Sequence, residues 1–542
     1  MTSSAEQPAN CPGPSPARGW LHARPVLLIA FAFAVMADPV SSVAYAIEAA
    51  LRALHGDLDL LLPTMGLVIA LVGLVIVNYH QLVARYPGGG GAAAAAGDAF
   101  GEAWAFVPIG ALIVDFVLTI AISSAAGASA IIAYLPVMEP WRIPLALALT
   151  TAVAGLTWFG HLGRAVFALM TLVFIAVTTL VLIDGINAPV HPSGTITHTA
   201  GHPAPIAVAL AFPVAMALAT GVEAPSSAIA QLGQLDDKGR RRFGRTTLWL
   251  TLAIVGTITL GLTAEAVHLR IGIPAPDSTQ IADLAQHAAP AGLYAVFQLA
   301  TALLLLSAAS SSFQAGPGLL KALARRHTTD SDTGILPSLW GTTNRHHTPY
   351  WGVLAFLLVS GAVIAAAGGQ DQRLVLFYAV SVFMAFLAGL LAMARFAARQ
   401  RHWGQLALNA LGALAVAFTL VVNLARGEPI ASLAAALLIA AVLHRMDSAA
   451  QFAAWPGWLR DDCFRGHRPV VGSRRVVRCR CRSRGCLRSR RRRSGWRGRR
   501  SRRARWRSAC GIGSGRSSRM SRSWRRSGSG VRRVCRRPCC RW

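Results

Sequence analysis

The chain has 542 residues, with 53 Lys and Arg against 23 Asp and Glu and a formal net charge of +30, yet 54% of it is hydrophobic. The conflict resolves once the charge is located: residues 463–542 hold 30 Arg and no acid, whereas the first 462 residues balance 23 basic against 23 acidic side chains. Eight of the nine Cys fall in the same final stretch, which excludes a disulfide framework for the body of the protein.

In chain order, residues 1–24 carry Pro and Ser without a long apolar core, and read as a disordered cytoplasmic arm rather than a signal peptide. Apolar runs then recur at 25–51, 61–84, 104–134, 141–159, 163–184, 205–232, 245–269, 291–320, 350–368, 372–394, 403–424 and 429–445. Each is 17 residues or longer, within or above the roughly 17–25 needed to cross about 30 Å of hydrocarbon as a helix. The expected fold is an all-α membrane protein of twelve transmembrane helices, one domain over 25–445, followed by a cytoplasmic segment at 446–462. With the N-terminus inside, sixteen basic residues of the connections fall on the inner face and five on the outer. That is the positive-inside asymmetry, and it places both ends in the cytoplasm of a cell with the chain in its inner membrane.

An ionised side chain at membrane depth costs about 2.5–3.5 kcal/mol on insertion scales, so acids inside spans mark function. Three stand out. Asp38 lies mid-span in VMADPVSSVAYAIE, where Pro39, lacking an N–H, is expected to break the helix and free carbonyls around the acid. Asp115 lies in LIVDFVLTIAISSAAG with Thr119 one turn later on the same face. Glu223 lies in ALATGVEAPSSAIA, where Gly221 and Pro225 predict a second broken helix. Interrupted helices in matching first and sixth positions point to a 5+5 inverted-repeat transporter with its site at the midplane. Each acid also has a structural reading: Asp38 as a helix cap, Asp115 and Glu223 as buried neutral groups.

Carboxylates with freed carbonyls and the hydroxyls of Ser41, Tyr45, Thr119 and Thr220 make an oxygen-only donor set, which describes a site for a small cation. His191, His198 and His202 fall in an outer loop and read as solvated surface. Three carboxylates exceed the charge of one monovalent ion, so at least one of Glu223, Asp115 and Asp38 is expected to carry a coupling proton.

Among the connections, residues 87–97 (PGGGGAAAAAG) read as a flexible or close-packed membrane-edge connection, 236–245 (DDKGRRRFGR) as a basic inner loop able to meet anionic lipid, and 321–349 as loop with a short interfacial helix. The tail, 463–542, combines Arg, Ser, Gly, Cys and Trp with no Lys, Asp, Glu, Asn, Gln, Thr or Tyr. Nucleic-acid binding through Arg and Trp is one reading. The favoured one is a G+C-rich gene translated out of frame, which leaves a disordered segment. CRC at 479–481 and CC at 539–540 lack zinc-site spacing.

The runs DPVSSVAYAIE in the first span, YPGGGG after the second, VDFVLTIAIS in the third, TGVEA in the sixth and LFYAVSVF in the tenth resemble the amino acid–polyamine–organocation superfamily, and within it the branch of KimA-type potassium–proton symporters. The resemblance implies potassium import by proton symport, with no cofactor beyond the transported ions. It also implies potassium ligands at Asp38, Tyr45, Asp115, Thr119, Thr220, Glu223 and Tyr378. Tyr378 enters only this way, since periodicity alone gives a packing aromatic. A homodimer is among the implied states, and an amino acid or polyamine permease is the alternative function. Phe116 departs from the usual Asp-Tyr of the third-span motif, which removes a hydroxyl and leaves room for a changed ion preference. Family members commonly carry a folded cytoplasmic domain, related in some to cyclic-dinucleotide control; nothing after residue 462 resembles one, so such control is not expected.

Overall fold

The computed structural model describes residues 24–159, 164–198, 201–232, 235–324, 334–427 and 429–453, together with the short strands Pro469–Val470 and Arg478–Cys479, which pair antiparallel. Met1–Cys479 form one compact unit; the second, Arg480–Trp542, lies outside the described residues, as do the N-terminal arm and the rest of the tail.

The first span consists of α1 (Arg24–Ser41) and α2 (Val43–Ala53). Pro39 interrupts the hydrogen-bond ladder, as a residue without an N–H must, but the interruption is confined to Ser42. Ser42 N donates to Asp38 O at 3.3 Å and Ala46 N to Ser42 O at 2.9 Å. The carbonyls next to the acid are not free: Ser41 Oγ donates to Asp38 O at 2.7 Å, and Ser42 Oγ to Pro39 O at 2.8 Å. The carbonyl that the missing N–H of Pro39 leaves without its helical donor is the one four residues earlier, on Val35.

The second span is α3 (Leu61–Arg85). The connection after it is helical in part, because consecutive alanines are strong helix formers, and gives α4 (Gly91–Phe100). Gly89 and Gly90 enter it with φ near +90°, a conformation only glycine adopts freely. The third span, α5 (Glu102–Tyr134), is the central helix, buried along most of its length. It is followed by α6 (Arg142–Trp158) and α7 (Arg164–Gly185).

In the sixth span the break is complete. After α8 (Ala204–Ala215) a 3-10 turn runs over Met216–Ala219, Thr220 is extended at φ −52° and ψ 134°, Gly221 takes φ +73°, and α9 (Ala224–Ala228) resumes the helix. The basic stretch expected as a loop opens α10 (Asp237–Leu269) instead. Asp236 caps it by accepting from Gly239 N at 3.0 Å, a standard way to start a helix. The remaining helices are α11 (Gln280–Ala288), α12 (Ala291–Ala324), α13 (Tyr350–Ala366), α14 (Asp371–Gln400), α15 (Trp403–Ala425) and α16 (Ile430–Ala453). Between α12 and α13 the described part of 321–349 is loop with a 3-10 turn at Ser338–Gly341.

Among the described residues, ten helical stretches are long and apolar enough to cross a membrane. The fourth and ninth expected spans coincide with α6 and α13, each of 17 residues, or about 26 Å of helix. The helix α5 packs against α4, α6, α12, α13, α14 and α16, so residues projecting from it reach several partners at once.

Candidate functional site

The two interrupted spans meet. A β-carbon placed on Gly221 would lie 2.7 Å from Asp38 Oδ2 and 2.8 Å from its Cγ, so the Asp38 carboxyl rests directly on the exposed backbone of the sixth-span break. Ser42 Oγ, besides its bond to Pro39 O, lies 3.0 Å from Leu218 O and ties the first kink to the same segment.

Around this crossing the structure gathers the residues singled out from the sequence. Tyr45 of α2, past the kink from Asp38 of α1, lies against the Thr220 hydroxyl, which itself donates to Ala217 O at 2.6 Å. From α5, Asp115 is near enough to feel the charge of Asp38 and Glu223. From α14, the Tyr378 phenol turns toward Asp115, with no hydrogen bond of ordinary geometry between them. Thr119 follows one turn after Asp115 on the same face of α5, and its side chain is buried.

Tyr45, Asp115, Thr119, Thr220 and Tyr378 are all buried, while Asp38 and Glu223 keep part of their surface accessible. Asp38 Oδ1, Asp115 Oδ1, Thr119 Oγ1, Glu223 Oε2 and Tyr378 Oη have no hydrogen-bond partner among the described residues. A buried polar atom left unpaired costs about 1–3 kcal/mol, so these five oxygens are positions at which a bound group would be stabilised. The electrostatic neighbours of the three acids are one another and tyrosines. The arrangement offers oxygen lone pairs and negative charge at the centre of an apolar bundle.

Phe116 does not belong to this set. It packs with Ile113 and Val117 against Ile120, Phe313, Val353 and Phe356, on a different face of α5 from Asp115. A tyrosine there would carry its hydroxyl toward that cluster, so the departure from the family motif takes no ligand from the site. His191, His198 and His202 are exposed, away from the crossing.

Toward the other end of α2 a second polar group forms that the sequence reading did not single out. Glu48 accepts from Arg52 Nε at 2.8 Å and from Gln280 N, at the start of α11, at 3.0 Å. Asp371 accepts from Ser129 Oγ at 2.8 Å and Gln372 Nε2 at 3.0 Å, and Arg142 Nη1 donates to Ser129 Oγ at 2.8 Å. The bonds join four helices and α11 beyond Tyr45. The signal for Glu48 was present as the final acid of DPVSSVAYAIE, but its partner is a backbone amide 232 residues away.

The family model described as amino acid permease matches residues 27–444. The chain is 30% identical over 369 residues to the potassium transporter KimA of Bacillus subtilis (strain 168), a match covering 65% of this chain. It spans 58% of that relative's length.

Proposed function

The chain belongs to the amino acid permease family, and from that premise we propose that it is a secondary active transporter that imports potassium by proton symport across the cell's inner membrane, with both termini cytoplasmic. The observation that carries this reading is the convergence of Asp38, Asp115 and Glu223 on one crossing of two interrupted helices. The similar Bacillus protein, named as a potassium transporter, points the same way.

A transporter of this class that takes an amino acid meets its carboxylate with free N–H groups at a helix break. Here an aspartate lies over the sixth-span break, and Ser42 N at the first kink is bonded to Asp38 O. An anionic group would be repelled. A cation would instead find the carboxyl oxygens of Asp38, Asp115 and Glu223, with hydroxyls from Tyr45, Thr119, Thr220 and Tyr378 replacing its water. The first and sixth spans then stand at equivalent places in two inverted repeats of five spans. Because a single monovalent ion leaves the three acids under-neutralised, one of them holds the coupling proton, and its exchange for bulk protons links the two fluxes.

The test is growth of a potassium-uptake-deficient bacterium on limiting potassium, with Asp38→Asn and Glu223→Gln beside the parent. The parent is expected to restore growth and both variants to fail at equal membrane levels. Equal growth of all three overturns the mechanism. A parent that fails while accumulating labelled amino acid or polyamine makes it a permease for that solute instead.

A further inference from the structure

The second span contributes a residue to the crossing that no motif marked. In α3, Val72 and Ile76 line a small internal cavity together with Pro39 of the first span and Leu218 and Val222 of the sixth. Tyr79 follows at three and seven residues from them, on the same helical face, which carries its side chain toward the residue after Val222. That residue is Glu223. The electrostatic neighbours of the Tyr79 phenol are Glu223 and then Asp115.

Tyr79 is 1% exposed, and its hydroxyl has no hydrogen-bond partner among the described residues. A buried tyrosine normally finds one. The ring needs no hydroxyl for its packing: it stands edge-on to Phe386 of α14, centroids 5.8 Å apart and planes at 76°. Its neighbour Asn78 is anchored by donating to Asn409 Oδ1 at 2.8 Å, so the backbone carrying Tyr79 is fixed. The hydroxyl is thus held in place by contacts that do not use it, within electrostatic reach of two carboxylates each having an oxygen equally without a partner.

We infer that Tyr79 is a further ligand of the transported cation, its phenol oxygen completing the donor set on the Glu223 side of the site and contributing to ion preference. Phe116 turns into an apolar cluster, so a hydroxyl at that position would not reach the site, and the role of Tyr79 does not depend on it. This rests on the cation-transport reading proposed above.

The test uses the full chain in proteoliposomes, with potassium and sodium uptake measured for the parent and for Tyr79→Phe, which keeps the ring and its contact with Phe386. The expected result is a half-saturating potassium concentration raised by about tenfold, the scale of one lost ligand interaction, with a smaller potassium-to-sodium ratio. That ratio does not depend on how much protein reaches the bilayer, so a purely structural effect would leave it unmoved. The double variant Tyr79→Phe, Phe116→Tyr is expected to behave as Tyr79→Phe alone. If it regains the parent's values, the placement of the two faces is wrong. If the parent carries potassium and Tyr79→Phe keeps both quantities, the ligand role of Tyr79 falls while the transport reading stands. If the parent carries no cation, both fall.

Discussion

Replacing Gly221 by alanine is the smallest change that attacks the crossing itself. Two costs add. The backbone at φ +73° is one that an L side chain adopts at a penalty of about 1–2 kcal/mol. The new methyl would also stand 2.7, 2.8 and 2.9 Å from Oδ2, Cγ and Cβ of Asp38. Carbon contacts are comfortable near about 3.5–4.0 Å, so one partner must retreat by roughly 0.8 Å; such overpacking typically costs about 1–3 kcal/mol. The softest response is rotation of the Asp38 side chain off the break, which takes a carboxylate out of the donor set. A misplacement of about 1 Å can lower the rate of a positioned process by roughly a hundredfold. Rubidium or potassium uptake in the deficient strain, normalised to membrane level, is therefore expected to fall by at least about tenfold. Gly155→Ala is the control: nothing lies within 4 Å of its new methyl, and an Ala in a helix interior is favoured over Gly by up to about 1 kcal/mol. Uptake by Gly221→Ala within about twofold of the parent, less than about 0.5 kcal/mol, would refute the close seating of Asp38 on the sixth span.

Glu48→Gln removes the charge from two hydrogen bonds, each worth about 1.5–3 kcal/mol when charge-assisted. Hydrogen exchange of the amides in α11 should quicken, and an unchanged rate would show that Glu48 does not hold that helix. Gly89→Val places a β-carbon 2.8 Å from Ala230 Cβ at φ +91°; thermal stability in detergent should drop by about 1–3 kcal/mol, and a parent-like melting temperature would show that the connection yields. A stop codon after residue 462 is expected to leave uptake unchanged; loss of uptake with normal insertion would assign the tail a role.

Much of the site was legible because carboxylates at membrane depth are conspicuous whatever the fold does around them. Asp38, Asp115 and Glu223 stand out against the apolar runs, and Gly221 with Pro225 forecast the sixth-span break that the structure contains. The first-span kink was legible in position but not in degree, since the sequence does not reveal that Ser41 and Ser42 turn back onto the carbonyls of Asp38 and Pro39. Tyr79 and Phe116 were unreadable for the same reason. Whether an aromatic inside an apolar run faces a polar crossing or a buried apolar cluster depends on the rotation of its helix, and a helix apolar nearly all round gives little periodic signal. The glycines of 87–91 could be read as permitting close approach, but what approaches, Ala230 and Ser226 of the sixth span, is set by tertiary packing.

That packing enlarges the part of the molecule that must move. A β-carbon on Gly91 would lie 2.8 Å from Ser226 Oγ, the hydroxyl that also donates to Glu223 O, and α4 beyond it is held to α14 by Arg395 over the ring of Phe100 at 5.1 Å. The half-helix after Glu223 is therefore keyed into a glycine socket. A tilt of that half-helix would have to carry α4 with it or open the socket, which makes the alanine-rich stretch a link between Glu223 and the tenth span.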